Sequence, residues 1–99
     1  MELKGYQRSY LTKFAHDLKP VVMIGRNGMS DSVIKAVDEA LAIHELIKVK
    51  FVDFKESRFD LAKVISEKTE SLLVRVVGNV AIYYREHEDK DKRNYKIPQ

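Results

Sequence analysis

Leu18-Lys19-Pro20-Val21-Val22-Met23-Ile24-Gly25-Arg26-Asn27-Gly28-Met29-Ser30 is the stretch on which the reading of this chain turns. The residue before a proline avoids helical geometry, so Lys19-Pro20 ends whatever helix precedes it. Val21–Ile24 is a short, wholly apolar run that predicts a buried strand. It stops at Gly25-Arg26-Asn27-Gly28, where two glycines three apart let the backbone turn sharply and approach closely whatever lies in front of it. The turn carries one permanent cation, one amide and no acid. Ser30 is a natural N-cap and Asp31 suits the positive end of the helix that follows. A helix N-terminus with free N–H groups favours anions, so the turn and the helix start together suit a phosphate.

Working outward, Leu3, Tyr10, Leu11, Phe14 and Leu18 recur at helical spacing and predict a first helix over about residues 6–18. After Ser30 a second helix runs to about His44, with Val33, Ile34, Val37, Ala40 and Leu41 on one face. Leu46–Val52 alternates, Ile47, Val49 and Phe51 pointing one way and Lys48 and Lys50 the other, which predicts a strand with one open face. Lys55–Glu70 reads as a third helix with apolar contacts from Phe59, Leu61, Ala62, Val64 and Ile65. Leu72–Val77 and Val80–Arg85 are strands joined by Gly78-Asn79, a strong hairpin signal. The order αβαβαββ predicts an α/β fold, a two-layer sandwich with a four-stranded mixed sheet and helices on one face. Lys48, Lys50 and Arg75, with Tyr83 and Arg85, would then share the open face. Residues 1–85 form one domain in this reading. Residues 86–99, with eight charges and Pro98, look like a frayed, charged extension.

The bulk composition narrows the class of function. At 99 residues, 44% apolar and 33% charged, the chain fits a single globular domain that needs no staple. It has no cysteine, so disulfides and thiolate metal sites are excluded. No run of apolar residues approaches the roughly 20 of a membrane span. The first residues lack the apolar core of a signal peptide, so a cytoplasmic location is expected. The formal net charge of +3 is unevenly placed. Residues 1–28 hold Lys4, Arg8, Lys13, Lys19 and Arg26 against Glu2 and Asp17, whereas the rest of the chain is neutral. A basic segment leading into the glycine turn suggests a polyanionic partner.

No catalytic set emerges. His44-Glu45 begins like H-E-x-x-H, but position 48 is Lys and the second zinc ligand is missing. His16 and His44 sit near predicted helix ends, where an imidazole can bond a terminal carbonyl. There is no phosphate-binding loop of the G-x-x-x-x-G-K-[ST] type and no nucleophile elbow. Asp38 and Glu39 are adjacent on a helix and so diverge. No enzyme, cofactor or metal is expected.

Gln7-Arg8 with Leu11, then Ala15-His16-x-Leu18-Lys19-Pro20-Val21-Val22-x-Ile24-Gly25-x-Asn27-Gly28, and then His44-Glu45-Leu46-Ile47-Lys48-Val49-Lys50 closely resemble the CRM domain, named for chloroplast RNA splicing and ribosome maturation. The likeness runs from about Leu3 to Arg85 and is greatest to the single-domain bacterial members, the YhbY-type proteins. A strand, a G-x-x-G turn and a helix are also similar to the backbone-gripping device of KH-type RNA-binding modules. The resemblance implies a fold like the C-terminal domain of bacterial initiation factor three. It implies RNA binding, with the precursor of the large ribosomal subunit as the associated particle. Residue by residue, it places the loop on Gly25, Arg26, Asn27 and Gly28, with Arg8, Lys19, Lys48 and Lys50 as flanking basic positions. Lys4, one turn from Arg8 on the same helix edge, joins that candidate surface. A monomer is expected. Two functions stay open at this point. One is a non-catalytic RNA-binding module acting in ribosome assembly. The other is a protein-interaction domain that docks through its helical face or charged tail.

Overall fold

The computed structural model describes residues 2–99. Its elements are α1 (Gly5–Ala15), β1 (Val22–Ile24), α2 (Asp31–His44), β2 (Leu46–Phe51), α3 (Arg58–Thr69), β3 (Leu72–Val77) and β4 (Val80–Tyr84). Short 3-10 turns lie at Lys55–Ser57 and Lys90–Lys92. The sheet is mixed, in the order β1-β2-β4-β3. β1 and β2 are parallel, which requires a crossover, and α2 supplies it. β2–β4 and β4–β3 are antiparallel. Gly78 adopts φ +59 in the tight β3–β4 turn, a conformation open to glycine without strain. Next to it, the Asn79 carbonyl accepts from the Phe51 N–H at 2.7 Å and extends the β2 pairing.

Helices cover both faces of the sheet, which corrects the expectation of helices on one face. Val37 and Leu41 of α2 and Ala62 and Ile65 of α3 pack on Ile47, Val49, Phe51, Ala81 and Tyr83. On the other face Leu11 and Ala15 of α1 pack on Leu46, Val74, Ile82 and Tyr84. The cause is visible in β4, where Ala81, Ile82, Tyr83 and Tyr84 are all buried, so both sides of that strand must be roofed. Tyr83 therefore does not share an open face with the lysines. Its ring lies in the α2/α3 core and its hydroxyl donates to the Ala62 carbonyl at 2.8 Å. Arg85 is on that side as well, with Nη1 bonded to Asp38 Oδ1 at 2.6 Å and to the Thr69 carbonyl at 2.8 Å, tying α2 to α3.

Two boundaries also differ from the sequence reading. α1 stops at Ala15 rather than Leu18, and Lys48 Nζ donates to the freed carbonyls of His16 (3.1 Å) and Leu18 (3.0 Å). Phe59, expected to face the core, is exposed, with the Arg58 guanidinium 4.7 Å from its ring centroid.

The tail is not frayed. Tyr95 and Ile97 pack into the α1-side core, and Tyr95 meets the rings of Phe14 and Tyr84 edge-on at 5.6 and 6.2 Å. Its backbone is captured by Glu45, which is fully buried. Glu45 Oε2 accepts from the His87 N–H at 2.8 Å and Oε1 from the Asn94 N–H at 2.6 Å. Farther along, Gln7 Nε2 donates to the Pro98 carbonyl at 3.0 Å. Burial, followed by the nearby Glu45 carboxylate, pushes the Tyr84 phenol up to about 12 and raises that of Tyr95.

Candidate nucleic-acid interface

The Gly25–Gly28 turn forms as its residues predict. The Gly28 N–H closes it by donating to the Gly25 carbonyl at 3.0 Å, and Gly28 adopts φ +63. Ser30 then caps α2, its hydroxyl accepting from the Val33 N–H at 3.3 Å. Arg26 and Asn27, at the tip, are exposed. Among the described residues, no hydrogen-bond partner reaches the backbone N–H of Arg26, Asn27 or Met29. Three backbone donors without an internal partner thus lie in the same short turn as the exposed Arg26 guanidinium.

A second loop, 52–54, flanks the first. The N–H groups of Val52 and Asp53 both donate to the Ile24 carbonyl, at 2.9 and 3.1 Å, so the two loops leave the same edge of the sheet laced together. Asp53 brings an acid near the turn, its Oδ2 lying 3.9 Å from where a Cβ on Gly25 would stand. Phe54 brings an aromatic ring against Gly28, where an added Cβ would lie 3.1 Å from Cε2. Neither residue was singled out in the sequence. The signal that could have found Phe54 is an aromatic just beyond the alternating strand, outside the apolar pattern of the neighbouring elements.

The candidate basic residues fall into separate groups. Lys50 is exposed and lies between Met23 and Val80 in the sheet register, at the loop end of β2. Met23, Lys50, Val80 and Val77 form one row across all four strands, with Met23 59% and Val77 53% exposed. α1 leaves this end of its sheet face open. Lys48, one pleat back on the same face, is half-buried and holds the end of α1 instead of standing free. Lys19 is exposed before β1, beside Ile43 and His44 at the far end of α2. Arg8 donates from Nε to the Val74 carbonyl at 3.1 Å and from Nη1 to the Leu3 carbonyl at 2.6 Å, tying α1 to β3, the opposite sheet edge from β1. Lys4 is exposed at the N-cap of that helix. The structure therefore gathers Gly25, Arg26, Asn27, Gly28 and Lys50; Lys48 lies next to Lys50 on the same face but is bonded to the end of α1, while Lys19, Arg8 and Lys4 lie elsewhere on the molecule.

With this geometry in view, comparison with known proteins gives one consistent answer. Residues 3–85 match the CRS1/YhbY (CRM) domain profile. The chain belongs to the CRM domain family. It is 34% identical over 97 residues to the Bacillus subtilis protein named "Probable RNA-binding protein YqeI", covering 97% of this chain and 99% of that one. A Haemophilus influenzae protein named "RNA-binding protein" is 36% identical over 88 residues, covering 88% and 89% of the two chains. The solution structure of SAV1595 from Staphylococcus aureus, titled as a candidate RNA-binding protein, superposes with a TM-score of 0.80 at 36% identity. That match covers 97% of this chain and 99% of that one. The CRM domain here has no helix, among the described residues, long and apolar enough to cross a membrane. Nor do the described residues hold a group of three His, Asp or Glu able to bind a metal ion.

Proposed function

We propose that this protein is a non-catalytic RNA-binding module that grips the RNA backbone with the Gly25–Gly28 turn. The observation that carries the reading is the turn itself. Its tip presents Arg26 and Asn27 to solvent, and its backbone N–H groups at Arg26, Asn27 and Met29 have no internal partner among the described residues. A phosphate is the anion whose oxygens match several N–H donors and a guanidinium at once. The names of the relatives support RNA as the polymer that carries it. Lys50 extends the cationic surface along the open end of the sheet, and Lys19 adds a more distant contact. Arg8 and Lys48 serve mainly to fix α1, since their nitrogens already bond backbone carbonyls. The resemblance to the YhbY-type proteins favours the large-subunit ribosomal RNA precursor as the target, and hence action in ribosome assembly in the cytoplasm.

The double variant Arg26→Asp with Asn27→Asp tests the reading. It places two carboxylates where a phosphate is expected, on residues that contribute nothing to the core. Affinity for RNA, measured by fluorescence anisotropy over a salt series, should be lost. Thermal unfolding should shift by the equivalent of less than ~1 kcal/mol, as for other surface substitutions. Undiminished RNA affinity in the folded variant would reduce the turn to a connection and favour a protein-docking role.

A further inference from the structure

Phe54 occupies a conformation that its own side chain opposes. It adopts φ +59, in the left-handed region, where a bulky residue is an outlier and strain of this kind concentrates at functional positions. The core does not explain it, because 48% of the residue is exposed. Nor, among the described residues, is the ring engaged by another aromatic or a cation, whereas Phe59, the next aromatic along, already carries Arg58 on its face. What fixes Phe54 is the turn. The ring lies so close to Gly28 that even a methyl group there would stand 3.1 Å from Cε2. Loop 52–54 is in turn pinned to the Ile24 carbonyl from which the Gly25–Gly28 turn departs.

We propose that Phe54 is a stacking platform for an unpaired RNA base whose backbone phosphate is held by the Gly25–Gly28 turn. This deepens the RNA-binding reading and rests on it. A nucleotide offers an anion and a flat π-face joined by a short, flexible sugar. The site offers free N–H donors and a guanidinium with a flat ring set rigidly alongside. Because every base has such a face, Phe54 adds affinity for single strands without choosing a sequence. A base held in a duplex is already stacked and cannot use it.

Glycine takes φ +59 without strain, so Phe54→Gly separates the two roles of the residue. The variant should unfold at the same temperature as the parent or higher, yet bind single-stranded RNA about tenfold more weakly, with duplex affinity unchanged. Phe54→Trp should keep the affinity, and its emission should be quenched on adding single-stranded RNA. The chain contains no other tryptophan, so that signal has one source. If Phe54→Gly binds single strands as well as the parent, or Phe54→Trp is not quenched, the platform is overturned. When the Arg26→Asp, Asn27→Asp variant has lost binding in the same assay, the backbone-grip reading survives that failure. If the parent protein binds no RNA at all, both fall together.

Discussion

The residues at the two ends of α2 share a positive φ but differ in what their polar groups do. Gly28, before the helix, and Glu45, after it, both adopt φ 63. At Gly28 there is no side chain, and among the described residues the N–H groups of neighbouring Arg26, Asn27 and Met29 find no partner, beside the exposed Arg26 and Asn27 side chains. At Glu45, about 20 Å away along a 14-residue helix, every group is used within the chain. The Glu45 N–H donates to Leu41, its carbonyl accepts from Arg85, and its carboxylate holds the tail at His87 and Asn94. A polar turn that satisfies itself closes a fold, whereas one that leaves its donors free is open to an anion, as the proposed RNA grip requires. Charge by itself does not distinguish them, since the buried end carries a full carboxylate.

The largest effect that tests this contrast is expected from Glu45→Ala. It strands two N–H groups of the tail and should cost about 3 kcal/mol or more, seen as a Tm lowered by well over 10 °C. RNA affinity of the folded fraction, measured in the cold, should be retained. A loss of affinity larger than the unfolded fraction explains would show that the two ends are coupled. Gly28→Ala comes next. It forces a Cβ into left-handed geometry and against the Phe54 ring, and should cost about 2 kcal/mol in chemical denaturation while also weakening RNA binding. A stable variant with weakened binding would sharpen the assignment of the turn to function alone.

A smaller effect should follow from alkali. Tyr84 is pushed up to about 12, and Tyr83 and Tyr95 are also raised, so the folded protein holds these phenolic protons more tightly than the unfolded chain does. The stability they contribute is intact below the ordinary tyrosine pKa of about 10 and declines as pH rises from there through the folded values. Thermal unfolding should therefore be flat across neutral pH and fall above about pH 10, in step with tyrosinate absorbance. Loss of stability before tyrosinate appears would place the weak point elsewhere. The smallest effect is Lys19→Ala, at the Glu45 end. It should lower the salt slope of RNA binding by about one, for all sequences alike. An unchanged slope would confine the RNA to the Gly28 end of α2.

Local patterning made much of the molecule legible. The turn residues, the Ser30 cap, the alternation of Ile47, Val49 and Phe51 and the Gly78-Asn79 hairpin act over a few residues, and each appears where its chemistry predicts. The element order followed from them, and the family from the resemblance of the Ala15–Gly28 and His44–Lys50 stretches to the CRM domain. What the sequence did not disclose was decided between distant segments. Whether α1 joins α2 and α3 or roofs the opposite face depends on which side of β4 remains unburied, and an unbroken apolar strand is compatible with either until its neighbours are placed. The basic residues looked alike as letters, yet Arg8 and Lys48 are spent on backbone carbonyls while Arg26 and Lys50 are exposed and, among the described residues, without a partner. A charge becomes structural or functional according to the carbonyls that happen to lie within its reach. The tail reads as polar and mobile because eight charges outnumber Tyr95 and Ile97, but two oxygens of Glu45 and a waiting apolar face order it. Short-range chemistry set the elements and the turn. The pairing of surfaces far apart in the chain set which polar groups, among the described residues, were left without an internal partner.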